Sequence, residues 1–118
     1  MSVKWIEYKG KRILYADFRG LRGKELIETI ELEAQMVAAH PTKVLILDNF
    51  EGVHTTTAFV ERIKQLGKDI IEEKTIKNAV LGITGLKDIL LRAYNTFTKG
   101  KSRPFGTEAD ALEWLVQK

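Results

Sequence analysis

Residues 44–59, VLILDNFEGVHTTTAF, constrain this chain more than any other stretch. The apolar run Val44 to Leu47 reads as a buried strand that leads straight into Asp48. A short turn with Gly52 follows, and then three hydroxyls, Thr55, Thr56 and Thr57, stand where the next helix begins. Strand, acid, turn and hydroxyl-capped helix start is the layout of an anion or phosphoryl site in an open α/β sheet, where ligands sit beyond the carboxyl ends of the strands. The same layout also serves as ordinary helix capping.

The rest of the chain supplies the sheet and its covering. Residues 4–8 and 12–18 read as two strands joined by a turn at Lys9-Gly10-Lys11. Gly20 and Gly23 break the chain before a helix at about 23–39, whose stripe is Leu26, Ile27, Ile30, Ala34 and Val37. His40-Pro41 stops it, because a residue before proline is pushed out of the α region. A third strand is expected at 43–48. A helix over 57–74 follows, with Phe59, Ile63, Leu66 and Ile70 on one face. A fourth strand at 77–83 exits through Thr84-Gly85 into a helix at 86–97. Arg103-Pro104-Phe105 suits an edge strand, where proline is tolerated. Thr107 with Asp110 resembles a capping box that opens a last helix.

The order β-β-α-β-α-β-α-(β)-α predicts a single α/β domain, a mixed sheet of mostly parallel strands covered by helices. One domain is also what 118 residues accommodate. The content of 44% hydrophobic and 30% charged residues is that of a globular protein. No apolar run is long enough for an integral membrane segment, and the first ten residues lack a signal-peptide core, so a cytoplasmic location is expected. There is no cysteine, and the two histidines have no metal-ligand spacing, so no metal is expected. Nor is there a dinucleotide or Walker fingerprint or a nucleophile elbow, and no cofactor is expected. The basic residues between Lys87 and Arg103 read as a solvated face, which argues against nucleic acid.

The element order resembles the STAS domain, the fold of the sporulation anti-sigma-factor antagonists, and more closely the SpoIIAA-like (STAS/SEC14-like) small bacterial proteins. The resemblance is carried by ILYADFRGL (13–21), VLILDNFEG (44–52), AVLGITGLKDILLRAYNTFT (79–98) and PFGTEADALEWL (104–115). In the antagonists the third strand leads into an Asp-Ser-Ser/Thr-Gly helix start whose hydroxyl a partner kinase phosphorylates. This sequence departs from that pattern: His54-Thr55-Thr56-Thr57-Ala58 has no acid before the hydroxyls and no glycine after them.

Arg19, Asp48, His54, Thr55, Thr56, Thr57, Thr84 and Gly85 are expected on one rim that contacts a partner protein or a small anion. Thr56 and Thr57 are the expected caps. Thr55 or Thr56 is the candidate phospho-acceptor, with Thr55 furthest from the helix and most available. Asp48 could hold the following turn by an Asx bond or face a cation or partner. Asp17 falls on the same edge, but no further acid, histidine or lysine is placed to complete a catalytic pair. Leu32 and Met36 on one helix, and Leu91 and Tyr94 on another, lie off the main stripes as core or as a partner or homodimer surface. Two function classes follow. One is a non-enzymatic regulatory or protein-interaction module with a threonine phosphoswitch. The other, which the SEC14-like side of the resemblance implies, is a carrier holding a lipid-like ligand between the 86–97 helix and the sheet.

Overall fold

Among the described residues, five strands lie in the order β1-β2-β3-β4-β5, so each strand is hydrogen-bonded to its neighbours in that order. The computed structural model describes residues 2–82 and 101–117. The strands are β1 (Val3–Tyr8), β2 (Lys11–Asp17), β3 (Val44–Asn49), β4 (Thr75–Leu81) and β5 (Ser102–Phe105). β1 and β2 are antiparallel and all later pairs are parallel. Lys9 and Gly10 both take positive φ, the geometry of a two-residue hairpin turn that matches strand twist. The mixed, mostly parallel α/β sheet is therefore the expected one, and the edge strand carries Pro104 as anticipated.

Helix α1 (Lys24–Ala39) packs on one face with α2 (Thr57–Leu66), and α4 (Glu108–Val116) packs on the other. β3 is buried at all six positions because both of its faces are covered. Alternation then sorts its side chains. Val44 and Ile46 join the α1 side with Leu14, Ala16 and Val80, while Leu45 and Leu47 join Ile13, Tyr15 and Ala79 beneath α4. Each valine, leucine or isoleucine withdrawn from water in this way contributes about 1.5–3 kcal/mol.

Some local details differ from the sequence expectation. The long helix over 57–74 is interrupted by a π turn at Gly67–Ile71, followed by the short α3 (Glu72–Lys74). The wider turn moves the buried position from the expected Ile70 to Ile71, which is 2% exposed. β4 begins at Thr75, two residues earlier than the apolar pattern suggests. Thr84, Gly85 and the 86–97 segment with Leu91 and Tyr94 lie outside the described residues. Leu32 and Met36 are half-buried and pack against the α1-side core.

Candidate functional site

Three phenylalanines build the base of the carboxyl edge. Phe18 follows β2, Phe50 follows β3, and Phe59 sits in the first turn of α2; none is exposed. Phe18 and Phe50 stack with centroids 4.3 Å apart, and Phe59 meets each edge-on at 5.9 Å. The two loops that rise from this base, 20–23 and 50–56, are thereby pinned relative to each other. Backbone bonds continue the strands into the same region, from Phe18 N–H to the Asn49 carbonyl and from Phe50 N–H to the Leu81 carbonyl, each at 2.9 Å.

The turn after β3 has its own internal order. Val53 N–H donates to the Phe50 carbonyl at 3.0 Å, and Gly52 supplies the positive φ of 71° in the third position. Asn49, not Asp48, makes the Asx bond, accepting Glu51 N–H at 3.1 Å. Gly82 passes directly behind this turn at φ 82°. A Cβ there would lie 2.5 Å from Glu51 N. The glycine after β4 therefore serves a close approach of protein backbone, with the turn as its neighbour.

Between the loops runs a groove of about 550 Å³ lined by Leu21, Arg22, His54 and Thr56 together with Gly20, Gly23 and Gly52. His54, Thr56 and Thr57 are exposed, whereas Thr55 is half-buried. That ordering corrects the expectation that Thr55 is the most available hydroxyl: the chain turns Thr55 inward as it enters the helix. Thr56 is the N-cap, accepting Phe59 N–H on its hydroxyl at 3.1 Å, and Thr57 is the first helical residue.

Two expected rim members sit elsewhere. Arg19 lines a separate groove of about 560 Å³ on the α4 side, with Lys4, Tyr15, Asp17 and Glu108. Its guanidinium is held bidentately by Asp17 at 2.9 Å, and Arg19 N–H bonds to Asp17 Oδ1 at 3.0 Å. This pairing holds the Asp17 carboxyl below the usual carboxylate range, with burial opposing it.

Asp48 is the larger correction. It is 0% exposed and points beneath α1, so it does not line a surface. Asn78 of β4 donates to Asp48 Oδ2 at 3.0 Å, and Ser102 of β5 donates to Asn78 Oδ1 at 2.9 Å. On the helix side stands Glu33, also 0% exposed. Burial, then the charge of Asp48, then a hydrogen bond between the two acids push the Glu33 carboxyl well above its ordinary pKa. Among the described residues no N–H or O–H group reaches either Glu33 oxygen, so a bond between the two acids needs one shared proton, and the raised Glu33 pKa favours Glu33 as its holder. The result is a buried relay, Ser102 to Asn78 to Asp48 to Glu33, that joins three strands to α1.

Sequence reasoning missed three contributors. Glu33 could have been found from its spacing, seven residues after Leu26 and three after Ile30, which places it within the buried stripe of α1. Arg22 stands between Gly20 and Gly23 on the predicted functional edge. Asn78 carried no local signal. Among the described residues there is no cluster of three or more metal-ligating side chains and no helix long and apolar enough to cross a membrane.

Two solved structures share this fold. One is a DUF3478-family protein with a SpoIIAA-like fold from Shewanella loihica, with TM-score 0.68 and 18% identity over 96% of this chain and 91% of the other. The second is an anti-sigma-factor antagonist (STAS) domain protein from Planctomyces limnophilus, with TM-score 0.60 and 18% identity over 98% of each chain. No family model matches the chain, and no curated protein matches it significantly. The chain thus has the SpoIIAA-like STAS fold.

Proposed function

We propose that this protein is a non-enzymatic interaction module that docks a partner protein through the groove between the 20–23 and 52–56 loops. The supporting observation is that Arg22, His54 and the exposed Thr56 hydroxyl line one concavity at the start of α2. Docking is controlled by phosphorylation of Thr56. A phosphate there adds about −1.5 to −2 charge beside Arg22 and the positive end of α2, where free N–H groups favour it. Thr55, half-buried, is the less available acceptor of the two. The name of the Planctomyces neighbour, an anti-sigma-factor antagonist, supports a regulatory role of this kind.

A catalytic reading has less support, because Asp48 is sealed inside and Asp17 is engaged by Arg19. The carrier reading depends on residues 86–97, outside the described residues. Mass spectrometry of the protein purified from its own cells tests the switch. A phosphate mapped to Thr56 that is absent from T56V and alters capture of a cross-linked partner is the expected result. An unmodified mass under every growth condition would sink the switch, and cross-links mapping away from 20–23 and 52–57 would sink the docking edge.

A further inference from the structure

The opposite end of the sheet carries a second concavity, of about 300 Å³, below the C-terminus of α1. Lys11 and Arg12 at the start of β2 and Lys43 just before β3 supply its cations, while Trp5, Val44 and Ile76 supply its apolar wall. None of the three cations has an ion pair among the described residues; the pairs there are Lys9–Glu113, Arg19–Asp17, Arg62–Glu31 and Lys64–Glu61. Glu7 stands opposite Arg12 in the strand register, yet the Arg12 guanidinium lies over the Trp5 ring, 4.8 Å from its centroid. His40 packs on Trp5 at 4.8 Å and bonds Thr42 through Nδ1, which fixes one side of the pocket. Lys74 donates to the His40 carbonyl, offsetting the negative end of α1.

Two costs coincide here. Three like charges converge without a counter-ion, which raises the local potential. Ile76 is 48% exposed, the one large hydrophobic side chain so exposed among the described residues. A ligand that is apolar at one end and anionic at the other relieves both. We propose that this pocket binds a small organic anion, an aryl or branched-chain carboxylate or sulfonate. Its apolar body rests on Trp5 and Ile76, and its acid group lies among Lys11, Arg12 and Lys43. A nucleic acid would need a longer basic track than three residues, and its phosphates would leave the apolar wall uncovered.

The test is an NMR titration of the whole protein with naphthalene-2-sulfonate, following the Trp5 indole N–H and the Ile76 methyl groups. Saturable shifts at both are expected, with binding about tenfold weaker in K11Q/K43Q, which leaves the Arg12–Trp5 contact in place. R12Q, at an exposed position, should weaken it similarly. The site is overturned if no saturable shift occurs, or if the double variant binds as tightly as the parent. Equal affinity for neutral 2-naphthalenemethanol would reduce it to an apolar patch, and equal affinity for inorganic sulfate would reduce it to a charge cluster; either overturns the proposal.

Discussion

Asp17 is the last residue of β2 and Asp48 the last but one of the parallel β3, and that single step separates their fates. Ala16 pairs with Asp48 and Asp17 pairs with Asn49, so the two acids leave the sheet on opposite faces. Asp17 emerges on the α4 side, holds Arg19 and is driven toward ionisation. Asp48 turns beneath α1 and meets Glu33, which is driven to keep its proton. The same residue type at the same sheet edge thus makes a surface clamp in one strand and a buried tie in the next. The consequence for function is direct. With Asp48 spent inside, the chemistry exposed beside the β3–α2 turn belongs to Arg22, His54 and Thr56.

The sharpest way to break the comparison is to remove each acid. Asp48→Ala strips a partner from both Asn78 and Glu33 inside the core, and a loss of about 3–5 kcal/mol in urea unfolding is expected. A loss under about 1 kcal/mol would show that Asp48 is not the tie described. Next comes the support behind the β3 turn. Gly82→Ala must bear both φ 82° and contact with the Glu51 backbone, costing about 2–3 kcal/mol by the same assay. Thr56→Ala removes only a cap, for about 1 kcal/mol of thermal stability. Smallest is Asp17→Asn. Its pair is substantially exposed, so about 0.5 kcal/mol or less is expected at neutral pH, falling to nothing in acid as the wild-type carboxyl itself protonates.

Much of this organisation was legible in the residues. Periodicity located α1, and the Thr107 and Thr56 caps marked helix starts that the structure retains through bonds from Asp110 N–H and Phe59 N–H. The faces of β3 were not legible, because a strand buried on both sides shows no alternation to tell inward from outward. Asp48 therefore read as a rim residue. Glu33 is hard to see because an acid in a helix with several acids suggests a solvated face, although its spacing from Leu26 and Ile30 places it in the buried stripe. Arg19 and Arg22 both lie in the loop after β2, and the bonds that Arg19 donates to Asp17 leave Arg22 as the one lining the groove with His54. Contacts between α1 and β3 are long-range in sequence, and no local pattern encodes them.

The sign of the pH dependence follows from the two acids. A carboxyl whose folded pKa is raised is protonated in the folded chain after it has ionised in the unfolded one. The Glu33 contribution is therefore full in acid and is lost as pH rises from the ordinary glutamate value of about 4.5 toward its folded value. Asp17 runs the other way, contributing above its ordinary value and losing that contribution in acid. Glu33→Gln keeps a neutral group and an N–H donor facing Asp48, so it should flatten the decline above pH 5 and raise stability at alkaline pH. The decisive measurement is a carbon-13 NMR titration of the side-chain carboxyls. Glu33 is expected to titrate well above the ordinary carboxylate range while Asp17 titrates below it. Ordinary titration of Glu33 would place it in solvent and return Asp48 to the rim.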